Sequence, residues 1–147
     1  MLVSLVYPEF AAHSAFLTTT AQRDSLLAFM KQGPDRAHDT AFNDTAVFHP
    51  NFLNFNLFGS QKENPYPGAE YFNKSDMAYG FLADCGYLRD TITHVEFFLT
   101  VYIYVNKDGI LNDTTYEYNT IGIPFMKRLG ELCYKGILDQ RFPSQTK

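Results

Sequence analysis

A chain of 147 residues with 46% hydrophobic and 19% charged side chains has the composition of one globular domain, not of a disordered chain or a collagen-like repeat, and its length leaves little room for a second domain. Sixteen acidic against 12 basic side chains leave a net charge of −4, which points away from nucleic acid and anionic membrane as the main partner. Fourteen Phe and ten Tyr, with no Trp, are too many rings for a core alone, so the surface must hold some of them.

The opening run Leu2–Val6 alternates weakly and is expected to be a strand, closed by Pro8 and Glu9, without the basic start of a secretory signal. No apolar run is long enough to span a bilayer, and the chain is expected to be cytoplasmic. A helix is expected over Ala21–Gln32, with Thr19 and Gln22 spaced as a capping box. Leu26, Leu27 and Met30 would form its inward stripe, and Gly33-Pro34 would stop it. Asp35–Phe48 is ambiguous, a short helix running into a strand. Asn51–Phe58 alternates, with Leu53, Phe55 and Leu57 facing one way and Asn54 and Asn56 the other, and reads as a strand. Residues 59–68, with two prolines and polar neighbours, read as a surface loop.

A second helix is expected from Ser75 to about Cys85, with Met77, Phe81 and Leu82 packed inward and Gly86 ending it. His94–Val105 then carries the clearest pattern in the chain. Val95, Phe97, Leu99, Val101, Ile103 and Val105 occupy one face, and His94, Glu96, Phe98, Thr100, Tyr102 and Tyr104 the other. At roughly 3.3 Å per residue such a strand is about 40 Å long. Asn106–Gly109 is expected to turn it into a returning strand Ile110–Tyr118, making a long C-terminal β-hairpin. A two-residue turn would put Tyr116 and Tyr118 on the aliphatic face. A three-residue loop with Gly109 in a bulge would put them beside Tyr102 and Tyr104, and is the favoured register because like then faces like. The last helix is expected over Pro124–Leu138, with Phe125, Met126, Leu129, Leu132, Cys133 and Ile137 on its stripe and Gly130 or Gly136 marking close packing. The tail Arg141–Lys147 reads as frayed. Cys85 and Cys133 fall in helical patterns as small core residues, not as a disulfide framework.

These elements amount to one α+β domain over residues 1–147, an antiparallel sheet built around the long C-terminal hairpin and packed on one face by about three helices. No Gly-rich phosphate loop, zinc-binding helix or nucleophile elbow occurs, so no catalytic residue, cofactor or metal is assigned. The four histidines are scattered. His38-Asp39-Thr40 matches one H-x-T element of two-histidine phosphoesterases, a chemistry that needs a second element, which neither His13 nor His94 supplies. Val101–Gly109, followed by a strand, a helix and Arg141-Phe142-Pro143, loosely resembles the C-terminal domain of TonB-type energy transducers over under a third of the chain, and no function is carried across.

The candidate binding surface is therefore the ring-bearing face: His94, Glu96, Phe98, Tyr102, Tyr104, Tyr116 and Tyr118. Residues 39–117 carry 11 acids and 4 bases, so a basic protein partner fits it best, as for an inhibitor or immunity protein masking a toxin or nuclease. A ligand-binding or enzymatic domain with His94, Glu96 and Tyr102 lining an aromatic pocket is the alternative. An uncovered hairpin edge would also permit a homodimer.

Overall fold

The computed structural model describes residues 1–11, 19–33, 40–42 and 44–141. It is an α+β fold around one three-stranded antiparallel sheet: β1 (Ala69–Ala78), β2 (Phe81–Asp90) and β3 (Glu96–Tyr104), in the spatial order β1-β2-β3. The sheet sits in the middle of the chain. Among the described residues two α-helices precede it, α1 (Leu2–Val6) and α2 (Thr20–Lys31), and α3 (Ile123–Arg141) follows, entered through a π-helical turn at Tyr118–Gly122.

Two tight turns set the register. Tyr79 and Gly80, at φ 52° and 87°, form a two-residue hairpin turn whose twist suits the flanking strands, so Ala78 faces Phe81 and Met77 faces Leu82. The β2–β3 turn is organised by Asp90, whose Oδ1 accepts the backbone N–H groups of Ile92 (2.8 Å) and Thr93 (2.9 Å) while its Oδ2 accepts the Tyr134 hydroxyl (2.8 Å). Burial raises the Asp90 carboxyl's affinity for a proton, but these donors together hold its pKa below the ordinary value.

Side-chain alternation divides the sheet into two faces. On the inner face Leu82, Leu88, Val95, Val101 and Val105 pack with Phe55, Leu57 and Phe58 of the segment before β1 and with Met126 and Tyr134 of α3. Each such ring or aliphatic chain contributes about 1.5–3 kcal/mol on leaving water. On the outer face Leu2 of α1 packs with Phe72 and Tyr87, and Leu27 and Met30 of α2 lean on the same cluster.

Several sequence expectations hold. α2 carries its capping box, Gln22 N–H to Thr19 Oγ1 (3.2 Å) and Thr19 N–H to Gln22 Oε1 (2.9 Å). β3 has the faces its alternation implies, and α3 contains the expected final helix, with Met126 buried and Leu129 and Ile137 partly so, although Phe125 and Leu132 of its expected stripe, like Leu26 of α2, are exposed. Gly130 does mark close packing: a Cβ there would lie 2.4 Å from the backbone N of Leu57, whereas at Gly136 it would meet nothing within 4 Å.

Other expectations are corrected. Leu2–Val6 is helical because Leu2 and Leu5, three apart, both bury, which a helix turn achieves and a strand does not. Ser75–Cys85 is the β1–β2 hairpin, with Met77 and Phe81 exposed at its tip. Gly86 lies mid-strand: its missing side chain makes room for the Tyr71 phenol, whose oxygen would sit 2.2 Å from a Cβ. Asn51–Phe58 is not a strand, since Leu53 and Leu57 take positive φ (67° and 69°) and Phe55 to Phe58 are buried consecutively. Cys85 is on β2 and exposed; Cys133 is half-buried in α3, and both are free thiols.

The long C-terminal hairpin is absent. The Asn106–Gly109 turn forms, with Gly109 N–H on Asn106 Oδ1 (2.9 Å), but no strand returns from it. Local bonds take the backbone instead: Ile110 N–H to Asp108 Oδ1 (2.9 Å), Asn112 N–H to the Tyr116 hydroxyl (2.7 Å) and Thr115 N–H to Asp113 Oδ1 (2.9 Å), with Asn112 and Thr114 at φ 66°. β3 pairs with β2, upstream, and neither register of the expected hairpin applies. Within Asp35–Phe48, Thr40–Phe42 is a single 3-10 turn; residues 35–39 and 43, His13, His38 and the tail beyond 141 lie outside the described residues.

Candidate functional site

The outer face of the sheet is only half roofed. Cross-strand pairing stacks Phe81, Ala83, Cys85, Tyr87 and Arg89 of β2 against Tyr104, Tyr102, Thr100, Phe98 and Glu96 of β3. At the Arg89–Glu96 end, α1 and the residue after it close over the rings. Tyr7 makes edge contacts with Tyr87 (6.2 Å between centroids) and Phe98 (6.0 Å), and Tyr87 lies 4.8 Å from Phe98. The Tyr87 hydroxyl donates to Glu96 Oε2 at 2.8 Å. Burial, with the bonds to Tyr7 and Glu96, pushes the Tyr87 phenol up from its ordinary pKa, so it remains a protonated donor.

The other end is open. Phe81 stacks on Tyr102 (5.5 Å, 22° between planes) and lies 4.4 Å from Tyr104. Phe81, Tyr102 and Tyr104 are 37%, 65% and 45% exposed, so the ladder meets solvent although its rings partly cover one another. Lys74 and Asp76 of β1 occupy the same face beside it. Phe81 was expected inside a helix, not among the candidate site residues. Its signal was the Tyr-Gly step at 79–80, which reads as a hairpin turn once the helix over Ser75–Cys85 is abandoned.

Of the expected seven residues, the structure gathers Glu96, Phe98, Tyr102 and Tyr104 on this face. His94 sits in the β2–β3 turn at φ 58°, where it lines a shallow polar depression of about 410 Å³ with Arg89, Asp90, Thr91 and Glu96. Tyr102 does not line that depression; it lies six residues along β3 from Glu96, about 20 Å away. Tyr116 and Tyr118 lie elsewhere, 5.2 Å apart, with the Tyr118 hydroxyl accepting the Gly80 N–H at 2.6 Å beneath the hairpin turn.

The inner face holds a polar cluster that the sequence did not announce. Asp84, fully buried on β2, accepts at Oδ2 from the N–H groups of Phe55 and Asn56 and from the Tyr71 hydroxyl, each at 3.0 Å. Its Oδ1 accepts from Asn73 Nδ2 at 3.0 Å. Asn56 Nδ2 in turn donates to Tyr71 Oη and to the Asp84 carbonyl, both at 3.1 Å. Burial is the largest influence on Asp84 and, against all four donors, pushes its pKa up to about 6. Two backbone amides converging on one carboxylate fix the 53–57 turn to the sheet. That role is architectural: the donors are all the chain's own.

A cleft of about 710 Å³ lies between residues 52–61, the π-helical turn and α3, with Lys127, Arg128 and Glu131 on its wall. Those charges are engaged with one another and with Gln61 (Lys127 Nζ to Oε1, 2.9 Å; Arg128 Nη1 to Glu131 Oε2, 3.2 Å). Among the described residues no group of three or more His, Cys, Asp or Glu could hold a metal ion, and no helix is long and apolar enough to cross a membrane. No protein-family model matches the chain, and no curated protein or solved structure is significantly similar to it.

Proposed function

We propose that this domain binds a basic segment of another protein on the open half of its outer sheet face, as an inhibitor or immunity domain masks its target. The observation that carries the reading is the exposed ladder Phe81–Tyr102–Tyr104, on the half of the outer face that α1 and α2 leave uncovered. The exposed parts of Tyr102 and Tyr104, which flank Phe81, offer ring surface to lysine or arginine side chains, each such contact contributing about 0.5–1 kcal/mol in water and about 2 kcal/mol once desolvated. Asp76 lies beside the ladder on β1, next to Lys74, and residues 39–117 as a whole carry 11 acids against 4 bases, which favours a basic partner. Tyrosine and phenylalanine on a rigid strand also lose little entropy on binding, which suits them as anchors.

Titration with a short lysine- and arginine-rich peptide, followed by calorimetry, tests this against a glutamate counterpart of the same length. The basic peptide should bind, and the Y102A/Y104A double variant should weaken it by at least about tenfold, or about 1.4 kcal/mol. Both rings also pack on Phe81 across the strands, so the variant should lose about 1–2 kcal/mol of stability, and binding is compared at a temperature where circular dichroism shows both proteins fully folded. Equal binding of both peptides, or binding indifferent to the two tyrosines, would sink the proposal.

A further inference from the structure

The outer edge of β3 offers a surface of a different kind, the strand's own backbone. In an antiparallel ladder, alternate residues direct N–H and C=O toward the neighbouring strand and the rest direct them away. The bonds Asp90 N–H to Val95 O (2.8 Å) and Val105 N–H to Gly80 O (2.7 Å) identify the odd-numbered residues as those facing β2. The N–H and C=O groups of Glu96, Phe98, Thr100, Tyr102 and Tyr104 therefore point outward, and among the described residues no strand pairs with them.

Such an edge is normally blunted by lysine, proline, a bulge or a covering element. β3 has none of the first two: Glu-Phe-Phe-Leu-Thr-Val-Tyr-Ile-Tyr holds a single charge, at its first residue, and no Pro or Gly. The opposite edge strand, β1, differs in carrying Glu70, Lys74 and Asp76 and in having α2 packed against it. Phe97, Leu99 and Ile103, on the inner side of β3, are only partly buried and would be completed by a further strand.

We infer that β3 pairs antiparallel with β3 of a second copy of this chain, centred on Thr100, to give a continuous six-stranded sheet. This is the register in which outward-pointing residues meet and the side chains complement themselves. Thr100 faces the second copy's Thr100, Phe98 faces its Tyr102, and Glu96 faces its Tyr104. On the inner side Leu99 faces the second copy's Val101, and Phe97 its Ile103. Each of the five outward residue pairs exchanges two main-chain bonds, about ten in all. A ring pair and a carboxylate–phenol pair repeat on either side of the two-fold axis, as an isologous contact requires. The inference concerns the strand's edge and stands apart from peptide docking on its face; the dimer would place two ring ladders on one platform.

Light scattering and analytical ultracentrifugation of the full chain test it. The wild type should have twice the 16.8 kDa chain mass. T100K and T100E each set like charges against each other at the axis and should weaken the dimer at least tenfold. Mixed in equal amounts, they should recover it, because the hetero-pair then faces opposite charges. Thr100 is exposed, so both variants should fold. Hydrogen exchange on the wild type supplies a second measurement: the amides of Phe98, Thr100, Tyr102 and Tyr104 should be protected, and lose protection on dilution. A wild-type monomer at millimolar concentration, a T100K dimer of undiminished affinity, no rescue on mixing, or outward amides exchanging as freely as exposed ones would each overturn the inference.

Discussion

Replacing Asp84 by asparagine tests the inner polar cluster through its pH dependence. The Asp84 carboxyl is raised from the ordinary 3.8 to about 6, so between those values the folded chain binds a proton the unfolded chain has released. The sign follows: its contribution to stability is fully present below about pH 4 and lost as pH rises through about 6. At about 1.4 kcal/mol per unit the whole difference is about 3 kcal/mol, of which about 2 kcal/mol falls between pH 4.5 and 7.5. Asparagine is neutral throughout and lacks that dependence. It also places an amide against Asn73 Nδ2 where Oδ1 accepted, a loss of about 1 kcal/mol at every pH. Urea unfolding followed by tyrosine fluorescence should therefore show the stability of D84N relative to wild type falling by about 2 kcal/mol from pH 7.5 to 4.5. Other titrating groups are common to both proteins and cancel. Parallel pH profiles would refute the reasoning, because they would mean the carboxylate ionises as it does in the unfolded chain.

Close packing makes two further predictions. G86A should lower stability by about 1–3 kcal/mol, since the added methyl collides with the Tyr71 phenol and pulls it from Asp84; an unchanged thermal midpoint would contradict that placement. G130A and G136A, both within α3, should have opposite signs. The first presses on the Leu57 backbone and should destabilise, while the second meets nothing and should stabilise by about 0.5–1 kcal/mol, as read by paired thermal melts.

β3 and α3 were legible because each repeats its period over two or more turns or several strand pairs, and α2 because its cap is local chemistry. The β1–β2 hairpin was not. Met77, Phe81 and Leu82 fit a helical stripe as well as a hairpin, and the choice is made by Tyr71 and Gly86 across the strands. Residues 110–118 have strand-like composition, but Asp108, Asp113 and Tyr116 bind the backbone locally, a competition that alternation does not record. At the candidate site, Tyr102 and Tyr104 were found because they share one strand with one period. Phe81 and Asp84 both lie on β2, and their partners, on β3 for the one and on β1 and residues 55–56 for the other, became visible only through pairing.

The tie between Asp84 and the amides of residues 55 and 56 also governs how the chain comes apart. An irregular stretch of backbone would ordinarily breathe on its own, but these two amides are released only when the central strand yields its carboxylate. The stretch thus shares the lifetime of the sheet: cleavage or insertion between Leu53 and Phe58 would act on the whole domain, not on a dispensable surface loop.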